Sequence, residues 1–93
     1  MLTSDMVRAA RALVRWEQRD LAEASGVSLP TIKRLEAKPG ELGAHGPTVA
    51  ALRSALEAAG LEFIPEDGGG AGIRFRDRKA PLERAPSEPN GRN

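Results

Sequence analysis

Gln18-Arg19-Asp20-Leu21-Ala22-Glu23-Ala24-Ser25-Gly26-Val27-Ser28-Leu29-Pro30-Thr31-Ile32-Lys33-Arg34-Leu35-Glu36 is the stretch on which the fold turns. Glu17 to Ala24 reads as two helical turns, helix 2 of the chain, with Leu21 and Ala22 on the apolar side. Gly26 can take the left-handed conformation that ends a helix. Ser28 then suits an N-cap, and Leu29 and Pro30 fill the first helical positions, where a missing amide hydrogen is tolerated. Ile32 and Leu35 point inward, giving the next helix, helix 3, over roughly Ser28 to Ala37. Short helices joined this tightly cross steeply, and Ala22 and Gly26 are small enough to line the contact.

Upstream, Met6, Val7, Ala10, Leu13 and Val14 recur at helical spacing, with Thr3 or Ser4 able to cap, so a helix is expected from about Thr3 to Val14. Arg8, Arg11 and Arg15 form a basic stripe on its other side, and such stripes are usually solvated faces. Downstream, Lys38 to Pro47 is rich in Gly and Pro and reads as a loop. Thr48 is the expected cap of a fourth helix ending near Ala59, with Val49, Leu52, Leu56 and Ala59 on its apolar stripe. After Gly60, Leu61 to Ile64 and Ile73 to Arg76 read as strands around a glycine-rich loop, Pro65 to Gly72. Residues 77–93 hold three prolines, several charges and no aromatic, which predicts disorder.

The chain has 93 residues, 40% hydrophobic and 29% charged, with no cysteine. That excludes a disulfide-stapled scaffold and a thiol-dependent or zinc-finger site, and it makes the cytoplasm the expected compartment. No apolar run approaches the roughly 18 to 20 residues of a membrane span, and Met1-Leu2-Thr3-Ser4-Asp5 does not resemble a signal peptide. Residues 1–65 carry eight basic and eight acidic side chains, so their net charge is zero. Polyanion binding must therefore come from a local patch. His45, the single histidine, has no cysteine or second histidine beside it for a metal site, and Gly68-Gly69-Gly70 is not followed by the Lys of a phosphate-binding loop. No catalytic constellation stands out; neither enzyme activity nor a cofactor is expected.

Residues 18–36 resemble the lambda-repressor-like helix-turn-helix domain of XRE-type bacterial and phage regulators. The resemblance covers roughly residues 3–60. It is carried by the glutamine opening helix 2, the Ala-x-x-x-Gly turn, the capping serine and the glutamate ending helix 3. It implies a mainly α fold with a four-helix DNA-binding domain over residues 1–60, to which the reading above adds a C-terminal β-hairpin over 61–76 and a disordered tail over 77–93. Helix 3 would then lie in the major groove with helix 2 braced on the backbone. By their positions in the motif, Leu29, Pro30, Lys33 and Arg34 would read or flank bases. Arg34 can pair bidentately with guanine, and Leu29 can pack on a thymine methyl, whereas Pro30 offers no donor. Gln18, Ser28 and Thr31 would contact phosphates, with Lys38 as a further contact. Arg11 and Glu36 resemble a family pair that joins helix 1 to the end of helix 3. Two departures stand out: Arg15 where relatives often have Gly, and Glu17 where they often have Ser or Thr.

A single recognition helix touches few base pairs, so double-stranded DNA is expected to be bound by a homodimer. The apolar hairpin residues Leu61, Phe63, Ile73 and Phe75 are the expected dimer surface, since an isolated ribbon would leave them partly exposed. A different class is compatible with the same residues: an antitoxin-like or antiactivator module whose hairpin or tail engages a protein partner.

Overall fold

The computed structural model describes residues 2–77. Four helices, α1 (Ser4–Leu13), α2 (Gln18–Ser25), α3 (Leu29–Ala37) and α4 (Gly46–Ala58), precede an antiparallel hairpin of β1 (Leu61–Ile64) and β2 (Gly72–Phe75). The tail expected to be disordered lies, apart from Asp77, outside the described residues. Among the described residues no helix is long and apolar enough to cross a membrane.

The helix ends follow from local chemistry. Thr3 caps α1, its hydroxyl accepting from the Met6 amide at 3.1 Å. At the other end, the Trp16 amide donates to the Arg11 carbonyl at 2.8 Å and the Arg15 amide to Ala12 at 3.2 Å. This paired closure requires a left-handed residue between them, and Arg15 adopts φ 60 to supply it. A glycine at this position would meet the same requirement without a Cβ penalty. Glu17 opens α2, where its amide donates to Asp20 Oδ2 at 2.8 Å. Gly26 closes α2 at φ 79. A Cβ built on Gly26 would meet nothing within 4 Å, so glycine serves the backbone conformation there and not the close helix contact expected of it.

The start of α4 differs from expectation. Thr48 is not its cap: the helix opens at Gly46, His45 is the capping residue, and the Val49 amide already bonds to the His45 carbonyl at 3.0 Å. Pro47 falls in the first turn, where its fixed φ favours the helix and its missing N–H loses nothing.

Val7, Ala10, Val14, Leu21, Ile32, Leu35, Leu52, Ala55 and Leu56 form the centre of the core, closed by Leu2, Leu42, Leu61 and Phe63. Leu13, expected inside, is 39% exposed. Val7, Ala10 and Val14 take the stripe facing the core, while Met6, Ala9 and Leu13 at i, i+3 and i+7 form a second stripe on the flank. The beginning of the chain is tied to the end of α3: Ser4 Oγ donates to the Lys38 carbonyl at 2.5 Å and the Ser4 amide to Gly40 at 2.8 Å.

The hairpin register pairs Leu61 with Phe75 and Phe63 with Ile73, placing all four on one face. Its two strands fare differently. Leu61 and Phe63 are buried in the chain's own core, whereas Ile73 and Phe75 are half-buried. The expectation that all four present a dimer surface is therefore corrected for Leu61 and Phe63, which the helices already cover. β2 starts one residue earlier than expected, and the Arg76 amide extends the ladder by donating to Gly60 at 2.8 Å.

Candidate nucleic-acid interface

Helix α3 has two unlike faces. Ile32, Leu35 and Glu36 are buried, while Pro30, Lys33, Arg34 and, just past its end, Lys38 are exposed. The buried carboxylate of Glu36 organises the inner side. Arg11 grips it with two parallel bonds, Nη2 to Oε1 at 2.7 Å and Nε to Oε2 at 2.9 Å. Its remaining arm, Nη1, donates to the Trp16 carbonyl at 3.0 Å. Arg8 Nη1 donates to the Glu36 carbonyl at 2.9 Å, and Arg8 also pairs with Asp5. Arg11 thus clamps α1 to the last turn of α3 with help from Arg8, and of the expected basic stripe only Arg8 and Arg15 stay exposed. With Glu36 only 4% exposed, removing one partner of this pair would cost about 3 to 5 kcal/mol.

Gln18 also belongs to this network. Its Nε2 donates to Glu36 Oε1 at 3.1 Å, which fixes the start of α2 against the end of α3. One hydrogen of the amide is used; the second is left for an outside acceptor such as a phosphate oxygen. Its bracing role was not visible in the sequence, because the two residues lie eighteen positions apart and meet only through tertiary packing.

At the start of α3 the Ser28 hydroxyl works twice, accepting from the Thr31 amide at 3.3 Å and donating to Thr31 Oγ1 at 2.8 Å. Ser28 is therefore a cap whose hydroxyl hydrogen is engaged. The Thr31 hydroxyl hydrogen remains available to an anion, so of the two expected phosphate-binding hydroxyls Thr31 is the better placed. Half-buried Leu29 and exposed Pro30 flank this turn.

Among the described residues, none of Lys33, Arg34 or Lys38 has a carboxylate within ion-pair distance. Zero net charge in residues 1–65 thus hides an uneven arrangement: Arg8, Arg11 and Arg53 are paired, while these three cations, like Arg15 and Arg19, face solvent without a carboxylate partner. Glu17 caps α2 and pairs with neither Arg15 nor Arg19, so its charge also stays open beside Gln18.

Sequence reasoning missed one part of this surface. Thr31 and Arg34 share a shallow concavity with Leu42, Gly43, Ala44, His45 and Thr48, which brings the first turn of α4 beside the outer face of α3. The amides of Gly46 and Thr48 lie in that turn, where backbone N–H groups have no partner within the helix. Pro47, the residue that sets the earlier helix start, was the available signal. Arg74 in β2 and Arg76 just after it are engaged within the hairpin: Arg74 pairs with Glu62 at 3.2 Å, and Arg76 Nη1 donates to the Glu57 carbonyl at 2.9 Å. Arg78 and Lys79 lie outside the described residues.

No protein-family model matches the sequence, and no curated protein matches it.

Proposed function

We propose that the protein is a sequence-specific DNA-binding regulator of the lambda-repressor-like helix-turn-helix type, in which α2 and α3 are the two motif helices and α3 enters the major groove. The observation that carries this reading is the outer face of α3: Lys33, Arg34 and Lys38 are exposed and, among the described residues, have no carboxylate partner, on a helix whose inner face is locked by the Arg11–Glu36–Gln18 network. Unpaired cations on a rigid element suit a polyanion, because neither an internal ion pair nor a mobile backbone must be given up on binding.

Within this reading Arg34 donates to guanine O6 and N7, and Leu29 lies on a thymine methyl. Lys33 flanks the bases. Lys38, Thr31, the free amide hydrogen of Gln18 and the first-turn amides of α4 hold phosphates on either side. Direct readout is narrow, since Pro30 contributes no donor, so Arg34 carries most of the discrimination. Two copies on an inverted repeat, with half-sites about 34 to 36 Å apart, double the few contacts that one α3 provides.

The test is selection of bound sequences from a random duplex pool at about 150 mM salt, where weak phosphate attraction is suppressed. Enrichment of an inverted repeat is expected. A folded protein that enriches nothing overturns the reading and favours the alternative, a module that binds a protein partner.

A further inference from the structure

In an antiparallel ladder, residues opposite one another alternate between hydrogen-bonded and non-hydrogen-bonded pairs. The Arg76 amide bonds to the Gly60 carbonyl, and the register extends this pairing to Leu61 with Phe75, Glu62 with Arg74, Phe63 with Ile73 and Ile64 with Gly72. Glu62–Arg74 and Ile64–Gly72 are therefore the bonded pairs. It follows that Ile73 and Phe75 direct their N–H and C=O groups away from β1, to the outer edge of β2. Among the described residues, neither has a backbone hydrogen bond to any other element. Residues 72–75 contain neither Lys nor Pro, the usual guards of an exposed edge.

Beside this edge lies an apolar groove formed by Met6, Ala9, Ala12 and Leu13 of α1 with Ile73 of β2. Asp5, the one charged residue lining it, is paired with Arg8. A charged ligand would find no counterpart there. The chain that follows β2, residues 78–93, contains one large apolar residue, Leu82, too few to fill the groove.

We propose that a second copy of this chain fills it. The two β2 strands pair antiparallel across a two-fold axis, making a four-stranded sheet in the order β1-β2-β2-β1, and the partner's β2 covers the Ala9 and Leu13 flank of α1. An open antiparallel edge is self-complementary, which suits an isologous pair. A two-stranded ribbon also gains by becoming a four-stranded sheet. This assignment names the partner surface required by the DNA-binding reading above and rests on that reading only for its purpose. The pairing itself needs no DNA.

The experiment uses the full chain without DNA. Sedimentation equilibrium over a range of concentrations is expected to show a dimer, and Leu13→Lys, at an exposed helix position, is expected to weaken it by about tenfold or more while circular dichroism stays unchanged. Ala9→Lys is the second variant, with the same expectation. Amide hydrogen exchange reads the edge directly: Arg74 is protected at every concentration, while protection of Ile73 and Phe75 appears only as the dimer forms. A chain that stays monomeric overturns the pairing, as does a dimer indifferent to both lysines or one in which the Ile73 and Phe75 amides exchange freely. The α3 reading keeps its own test in the selection experiment, so the two can fail separately.

Discussion

The α2–α3 unit and the β-hairpin leave opposite kinds of group unsatisfied. In the hairpin the described arginines are engaged, Arg74 by Glu62 and Arg76 by the Glu57 carbonyl, and Arg53 beside it pairs with Glu57 while lying 5.3 Å from the centre of the Phe63 ring. What remains open there is backbone. Around α3 the backbone is closed by Ser28 and by Arg8, and what remains open is cationic side chain. A polyanion complements the second surface and an extended strand the first. The contrast shows that net charge, zero over residues 1–65, says little about partners until paired and unpaired charges are separated.

The largest expected effect breaks the brace behind α3. Glu36→Ala leaves the Arg11 guanidinium without its buried partner and is expected to destabilise the fold by about 3 to 5 kcal/mol in denaturant unfolding. A loss below about 1 kcal/mol would mean that the pair is no stronger than a surface contact. Leu61→Ala tests whether the hairpin belongs to the same cooperative unit: burial of Leu61 predicts a loss of about 2 to 5 kcal/mol, seen as one shifted unfolding transition. Two transitions would instead separate the hairpin from the helices. Arg34→Ala sharpens the functional half of the contrast, with an expected loss of about 1 to 3 kcal/mol in binding to a selected duplex and relaxed discrimination at one base pair. Its melting temperature should match the parent's, since Arg34 is exposed and has no carboxylate partner among the described residues.

Smaller effects follow. Arg15→Gly relieves a left-handed conformation that disfavours side chains and is expected to raise stability by about 1 kcal/mol. Unchanged or lower stability would show that the arginine contributes something that offsets its strain. Glu62→Ala removes a solvent-exposed pair and is expected to change stability by about 1 kcal/mol at most, measured in the same unfolding series.

The parts of the fold legible in the sequence are those fixed by local chemistry. The left-handed end of α2 at Gly26, the cap at Ser28 and the glycine after α4 each act within one turn, so their residues alone place the helix ends. Thr48 misleads because the cap preference of threonine competes with the first-turn preference of Pro47, and here the proline sets the start. Leu61 and Phe63 show a different limit. Alternation reveals that one face of a strand is apolar, but what covers that face depends on α1 and α4 lying beneath it. The same limit hid the bond from Gln18 to Glu36, and it left Leu13 looking like a core residue when helical spacing allows two neighbouring stripes.

The most direct test of the contrast is titration of the ¹⁵N-labelled full chain with a short duplex carrying a selected site, following backbone amide shifts in both regions at once. The expected result is perturbation of the α2 start at Gln18, of Leu29 through Lys38, and of the α4 first turn from His45 to Thr48, with Glu62 and Arg74 on the solvent face of the hairpin unchanged. Shifts concentrated in the hairpin, or none around Lys33 and Arg34, would contradict the assignment of α3 as the DNA-binding face.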